Sequence, residues 1–187
     1  MDVIQKYVVM YRIKQDKRVT QSANLIVMGL YQCLKTKNIT EISVSELCGA
    51  STVSRSTFYR LFDSPVDVLS YVCDSLVDEI SMDMASHRAM AKDKRALHTL
   101  RFLMDRCDFL EMLFRSGRLD IMEQAFSSLR EVFIPESTLT EREATYIYSS
   151  MIGALCSILM VWMRNGRKES AQELLDLYSG FIYSHRM

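Results

Sequence analysis

The sequence predicts an all-α chain, and three observations predict it. Apolar residues recur at helical spacing along almost the whole length, helix-start and helix-stop residues fall between those stripes, and no segment alternates apolar and polar residues with the turn signals that strands need. At 187 residues, with 49% apolar and 25% charged residues, the chain can build one small module and one larger core. The helical pattern divides into an N-terminal arm with a three-helix head over residues 1–64 and a larger helical bundle over residues 65–187.

The arm carries Lys6, Arg12, Lys14, Lys17 and Arg18 against Asp2 and Asp16, a basic segment that either lies near phosphates or is a solvated leader. Its short apolar run has no small-residue cleavage site, so it is not read as a secretory signal. Val19 to Leu34 carries Ala23, Ile26, Val27, Leu30, Tyr31 and Leu34 on one helical stripe, with a cap expected near Thr20. Lys35 and Lys37 at its end complement the helix dipole.

Ser43 is a plausible N-cap, and Glu46 three residues on completes a capping box, so a short helix is expected from Val44 to about Ala50. Val53 then sits in a tight turn, and Ser54 can cap a second short helix, Arg55 to Phe62. Phe58, Leu61 and Phe62 are expected in the core. Ser56, Thr57, Tyr59 and Arg60 are expected outward, where a helix that begins with small hydrogen-bonding side chains can enter a DNA major groove.

Ser64, Pro65 and Asp67 form a strong helix start, and the helix they open is expected to reach about Ala91. A wide apolar face predicts one helix from Arg95 to Arg115, stopped by Ser116-Gly117. Asp120 to Phe133 follows, closed by Pro135. Ser137 to Thr140, with Glu141 and Glu143, opens a helix that Asn165-Gly166 ends, and Lys168 to Ser184 forms the last. Between Ala144 and Met163 the chain carries no charge, nearly enough for a bilayer span of about 20 residues. Thr145, Tyr146, Tyr148, Ser149, Ser150 and Ser157 suit lipid poorly, so a helix buried in a bundle and a subunit interface is the expectation.

Net charge is zero, which argues against indiscriminate nucleic-acid binding and requires local charge placement for any DNA contact. The five cysteines, Cys33, Cys48, Cys73, Cys107 and Cys156, form no close pair and suit a reducing cytosol as small buried apolar groups; a redox role for Cys48 is the alternative. His87, His98 and His185 show no metal-ligand spacing, so no metal is expected. There is no Gly-rich phosphate loop and no nucleophile elbow, and Asp105, Asp108 and Glu111 read as a surface stripe. The chain is therefore not read as an enzyme, and no cofactor is expected.

The run Val44-Ser45-Glu46-Leu47 … Val53-Ser54-Arg55-Ser56-Thr57-Phe58-Tyr59-Arg60-Leu61-Phe62, followed by Ser64 and Leu69, resembles the helix-turn-helix of the TetR/AcrR family of transcriptional regulators. The motif covers about Arg18 to Tyr71; the rest is similar by helix pattern. Thr52 and Ser56 stand where that family usually has Gly, and Pro65 where it usually has a phosphate-contacting Lys. The resemblance implies a homodimeric, sequence-specific regulator of double-stranded DNA, cytoplasmic, with repression the default. Ser43, Ser45, Ser54, Arg55, Ser56, Thr57, Tyr59 and Arg60 are then the DNA-contacting candidates.

It also implies a small-molecule effector bound among the body helices, with Phe102, Met104, Phe109, Met112, Phe126, Tyr148, Met151 and Trp162 as candidate lining. The last two helices are expected to pair with their copies through Tyr148, Ile152, Leu155, Leu159, Leu174, Leu177 and Phe181, with Gly153 and Ala154 allowing close approach. Two other readings stand beside this one: a regulator-like protein with weak DNA binding that acts through a protein partner, and a membrane-anchored sensor using Ala144 to Met163.

Overall fold

A computed structural model describes residues 17–87, 89–130 and 139–184, in which helices are joined by short turns, with no strand among them. The basic arm up to Asp16, Phe133, Pro135 and His185 lie outside the described residues. The helices are α1 (Lys17–Leu34), α2 (Val44–Ser51), α3 (Arg55–Leu61), α4 (Pro65–Ser86), α5 (Lys92–Met104), α6 (Cys107–Arg115), α7 (Leu119–Ser127), α8 (Glu141–Arg164) and α9 (Ala171–Ser184), with one 3-10 turn at Ile39–Glu41. The chain clusters into two compact units, one of Met1–Asp78 with Met112–Ala125, the other of Glu79–Glu111 with Phe126–Met187.

In the first unit α1 packs on α2 and α3, and its stripe of Ala23, Ile26, Leu30 and Leu34 is buried. Thr20 lies inside α1 rather than capping it. Gly29 makes the α1–α2 approach possible: a Cβ there would stand 2.8 Å from the Ser51 Cβ and 2.9 Å from its backbone N, distances no side chain tolerates. Leu47, Phe58, Leu61, Phe62, Val68 and Leu69 complete this core. α4 starts as its sequence requires, with Pro65 first and the Asp67 carboxylate accepting from the backbone N–H groups of Asp63 (3.1 Å) and Ser64 (2.9 Å). It ends at Ser86, a turn earlier than expected, after 22 residues or about 33 Å.

In the second unit α5 contacts α9. The single helix expected from Arg95 to Arg115 is instead two, α5 and α6, broken at Asp105 and Arg106. The reason is tertiary. Arg106 donates to the Glu79 carboxylate (2.8 Å) and to the Phe102 carbonyl (3.2 Å), with its guanidinium 3.4 Å from the Phe102 ring centroid. Its own backbone N–H goes to the Leu103 carbonyl at 3.0 Å, which tightens the last turn and stops the ladder. Gly117, at φ +69, ends α6 as the sequence indicates.

α7 stops at Ser127, short of the expected Phe133, with a turn at Ser128 and Leu129. α8 opens on the capping box of Thr140 and Glu143, and α9 opens at Ala171 rather than Lys168, because the Glu173 carboxylate accepts from the Ser170 N–H and hydroxyl, each at 2.7 Å. Arg167, itself at φ +58 after Gly166 at +84, donates to Glu111 (2.8 Å) and to the Cys107 sulfur (3.0 Å), tying the end of α8 to α6.

Candidate functional site

The helix-turn-helix is built by local hydrogen bonding on an apolar floor. Ser43 Oγ accepts from the Glu46 N–H (3.2 Å), and Glu46 accepts in return from the Ser43 N–H (3.1 Å) and hydroxyl (2.9 Å). Lys37 pairs with the same carboxylate. That ammonium first, and the Ser43 contacts second, hold the Glu46 carboxyl down at about 2.

α2 ends in a Schellman motif: the Val53 N–H reaches the Cys48 carbonyl (3.2 Å) and the Thr52 N–H the Gly49 carbonyl (3.4 Å), which places Thr52 in the left-handed region at φ +56. A β-branched residue is strained there. Thr52→Gly is therefore expected to stabilise the chain by about 1 kcal/mol, read as a raised denaturation midpoint; an unchanged or lowered midpoint contradicts this account of the turn.

α3 presents two chemically opposite sides. Phe58 is 0% exposed and Leu61 1%, with the Phe58 ring edge-on to Tyr59 at 5.6 Å and 6.0 Å from Phe62. The other side holds Arg55, Ser56, Tyr59 and Arg60, all exposed, with Thr57 half-buried. Ser54 caps the helix through the Thr57 N–H (3.2 Å), and its hydroxyl lies 3.0 Å from those of both Ser56 and Thr57. Arg55 donates to the exposed Ser45 hydroxyl at 2.6 Å, so the start of α2 and the start of α3 offer one continuous polar surface. Such a surface can donate to phosphate oxygens and to base edges.

In the second unit, α5, α8 and α9 form a partly open apolar pocket of about 200 Å³, lined by Ala96, Thr99, Leu100, Met151, Ile152, Leu155, Ile158, Leu174, Leu175 and Tyr178. An adjoining, more open cleft of about 380 Å³ runs along α8 and α9 past Ser157, Val161, Trp162, Glu169 and Leu177.

Residues 93–184 match a family model described as a transcriptional regulator C-terminal region of the TetR type. The fold is also that of a TetR transcriptional regulator from Streptococcus agalactiae 2603V, known from its crystal structure, at a TM-score of 0.60 and 21% identity over 90% of this chain and 97% of that one. The chain is similar to TetR-family regulators, in its C-terminal region by sequence and along its length by fold. No curated protein matches it in sequence.

Within this TetR-family fold the eight DNA-contact candidates, Ser43, Ser45, Ser54, Arg55, Ser56, Thr57, Tyr59 and Arg60, lie together along α2 and α3. The candidate cavity lining is dispersed. Of the eight residues, Met151 lines the apolar pocket and Trp162 the more open cleft, where its indole N–H donates to the Glu169 carbonyl at 2.9 Å. Met112 is buried in the first unit and Phe126 in the second; Tyr148 is buried with its hydroxyl donating to the Phe126 carbonyl at 2.5 Å, and burial pushes its phenol upward. Phe102 lies under the Arg106 guanidinium, Met104 is half-buried at the end of α5, and the Phe109 side chain lies outside the described residues. The sequence reading missed Thr99, Leu100, Ile158 and Tyr178, because periodicity identifies an apolar face without saying which part of it a neighbour leaves uncovered.

Only two thiols behave as buried groups. Cys48 and Cys73 are buried, and Cys33, Cys107 and Cys156 are half-buried. Desolvation raises Cys48, which works against thiolate reactivity in the helix-turn-helix, and burial with the Asp74 charge pushes Cys73 up to about 12. His87 and His98, which show no metal-ligand spacing in the sequence, lie together beside Asp83.

Proposed function

We propose that the chain is a homodimeric, sequence-specific, cytoplasmic repressor that reads DNA with α3 and is released by a small apolar effector. The two-sided chemistry of α3 carries this reading: hydroxyls and two guanidiniums outward, and Phe58 and Leu61 fully buried behind them. Arg60 and Arg55 supply charge-assisted contacts to phosphate or guanine, and Ser54, Ser56, Thr57 and Tyr59 supply hydroxyls. Ser45 offers a hydroxyl to a phosphate at the start of α2, whereas the Ser43 N–H and hydroxyl are engaged by Glu46 and Ser43 acts as the cap.

The effector site is the apolar pocket of α5, α8 and α9, whose 200 Å³ exceeds the roughly 150 Å³ that accommodates benzene in an apolar protein interior. Its walls are apolar apart from the Thr99 and Tyr178 hydroxyls, which favours an apolar ligand with few polar groups.

α8 is long and apolar enough to cross a membrane by length and composition. We assign its outer side to a subunit interface. Tyr146, Ser150, Gly153, Ser157 and Val161 recur at helical spacing and are exposed, as is Leu177 on α9. Small residues in that stripe let a second helix approach closely. Tyr148, Ile152, Leu159 and Leu174, expected in the interface, are instead buried against the chain's own core, and the Phe181 side chain lies outside the described residues.

Arg60→Ala is expected to weaken binding of the chain's own upstream duplex by about tenfold, measured by fluorescence anisotropy, and to flatten its salt dependence. An unchanged affinity contradicts the assignment of α3. Pro65 in place of the phosphate-contacting Lys and the zero net charge favour the second reading, a regulator acting through a protein partner; wild-type affinity no greater for upstream than for random duplex would select it.

A further inference from the structure

The end of α4 and the start of α5 bring together three side chains that the reading above does not use. Asp83 lies in the last turn of α4, His87 is the residue just past its end and four on from Asp83, and His98 comes from α5. Asp83 Oδ2 lies 2.7 Å from His98 Nε2, Asp83 Oδ1 lies 3.6 Å from His87 Nδ1, and the two imidazole centroids are 4.3 Å apart. One donor atom from each residue falls within 4.8 Å of the others. Donors bound at 2.0–2.1 Å to a tetrahedral ion stand about 3.3 Å from one another. With one donor atom of each residue already within 4.8 Å of the others, side-chain rotations bring all three onto one ion.

The surroundings suit ligation. His87 Nδ1 is 2.8 Å from the Asp83 backbone carbonyl, and donating to it leaves the Nε2 lone pair available, the arrangement that orients metal-bound histidines. The Ser86 hydroxyl, 3.1 Å from the same nitrogen, adds to that restraint. With side-chain exposures of 36% for His87, 30% for His98 and 21% for Asp83, the cluster is sheltered and still open to solvent for entry. Two imidazoles and one carboxylate select zinc, cobalt or nickel over magnesium or calcium, which prefer all-oxygen sites. Three protein ligands leave a fourth position for water.

We propose that Asp83, His87 and His98 form a binding site for one divalent transition metal of the zinc class, joining α4 to α5. The competing account is two imidazoles sharing a carboxylate for packing alone, and it predicts no metal uptake.

Titrating Co²⁺ into the reduced, metal-free full-length protein separates the two. The proposal predicts visible d–d absorption that saturates at one equivalent, is displaced by Zn²⁺, and is lost in both His98→Gln and His87→Gln. Zn²⁺ is expected to raise the thermal midpoint of wild type and not of either variant, with circular dichroism showing that each variant is folded. His87→Gln, just past the end of α4, serves if His98→Gln does not fold. No absorption in wild type overturns the proposal. So does absorption undiminished in a folded variant, or a thiolate-to-cobalt charge-transfer band in place of the imidazole spectrum, which assigns the metal to cysteines.

Discussion

Val161→Glu combined with Leu177→Glu is expected to convert the protein from dimer to folded monomer and to lower its affinity for operator DNA at least about a hundredfold. Val161 is 55% exposed and Leu177 67%, so each substitution leaves the chain's own core untouched while placing a charge where a second copy is proposed to pack. A charge buried across an interface without a partner is costly, and once the copies separate, the second half-site is no longer held near the first. Sedimentation velocity reads the mass, and anisotropy reads the affinity. A variant that remains dimeric at micromolar concentration contradicts this interface. The contrasting change, Leu159→Glu, targets a side chain 2% exposed in the chain's own core and unfolds the protein instead.

Phe58→Ala is expected to cost the head about 3–5 kcal/mol. The ring is fully buried, meets Tyr59 edge-on, and lies beside Phe62, which in turn lies 5.6 Å from the Tyr71 ring at the start of α4. Whole domains are stable by only about 5–15 kcal/mol, so most of the head's margin is removed and DNA binding goes with it. Denaturant unfolding followed by circular dichroism checks this. A loss below about 1 kcal/mol would mean that the ring is not the support on which the outward face of α3 is held.

Local features of this fold are legible in the sequence because their causes are local. The capping boxes of Ser43 with Glu46 and Thr140 with Glu143, the Ser54 cap, the start at Pro65 and the stops at Gly117 and Gly166 each involve residues within one turn of one another. What escapes the sequence is set by residues far apart in it. The break between α5 and α6 has no Gly or Pro to announce it, and it depends on Arg106 reaching Glu79. The Asp83, His87 and His98 cluster needs His98, on α5, brought to the end of α4.

The faces of α8 show the same limit in another form. Both sides are apolar or small, so spacing alone cannot say which side the chain's own core takes. Burial of Ile152 and Leu159 settles that, and leaves Tyr146 and Val161 outside. The outward face of α3 is legible for the opposite reason. Its hydroxyls and guanidiniums alternate with large apolar groups at helical spacing, so the buried side identifies the exposed one.

The most direct measurement is selection of bound sequences from a random duplex pool by the full-length protein. The account predicts enrichment of an inverted repeat whose half-site centres lie about one helical turn, roughly 34 Å, or a multiple of it apart, with enrichment lost in Arg60→Ala. A pool that emerges with no enriched sequence, or with a single unpaired site, would contradict it.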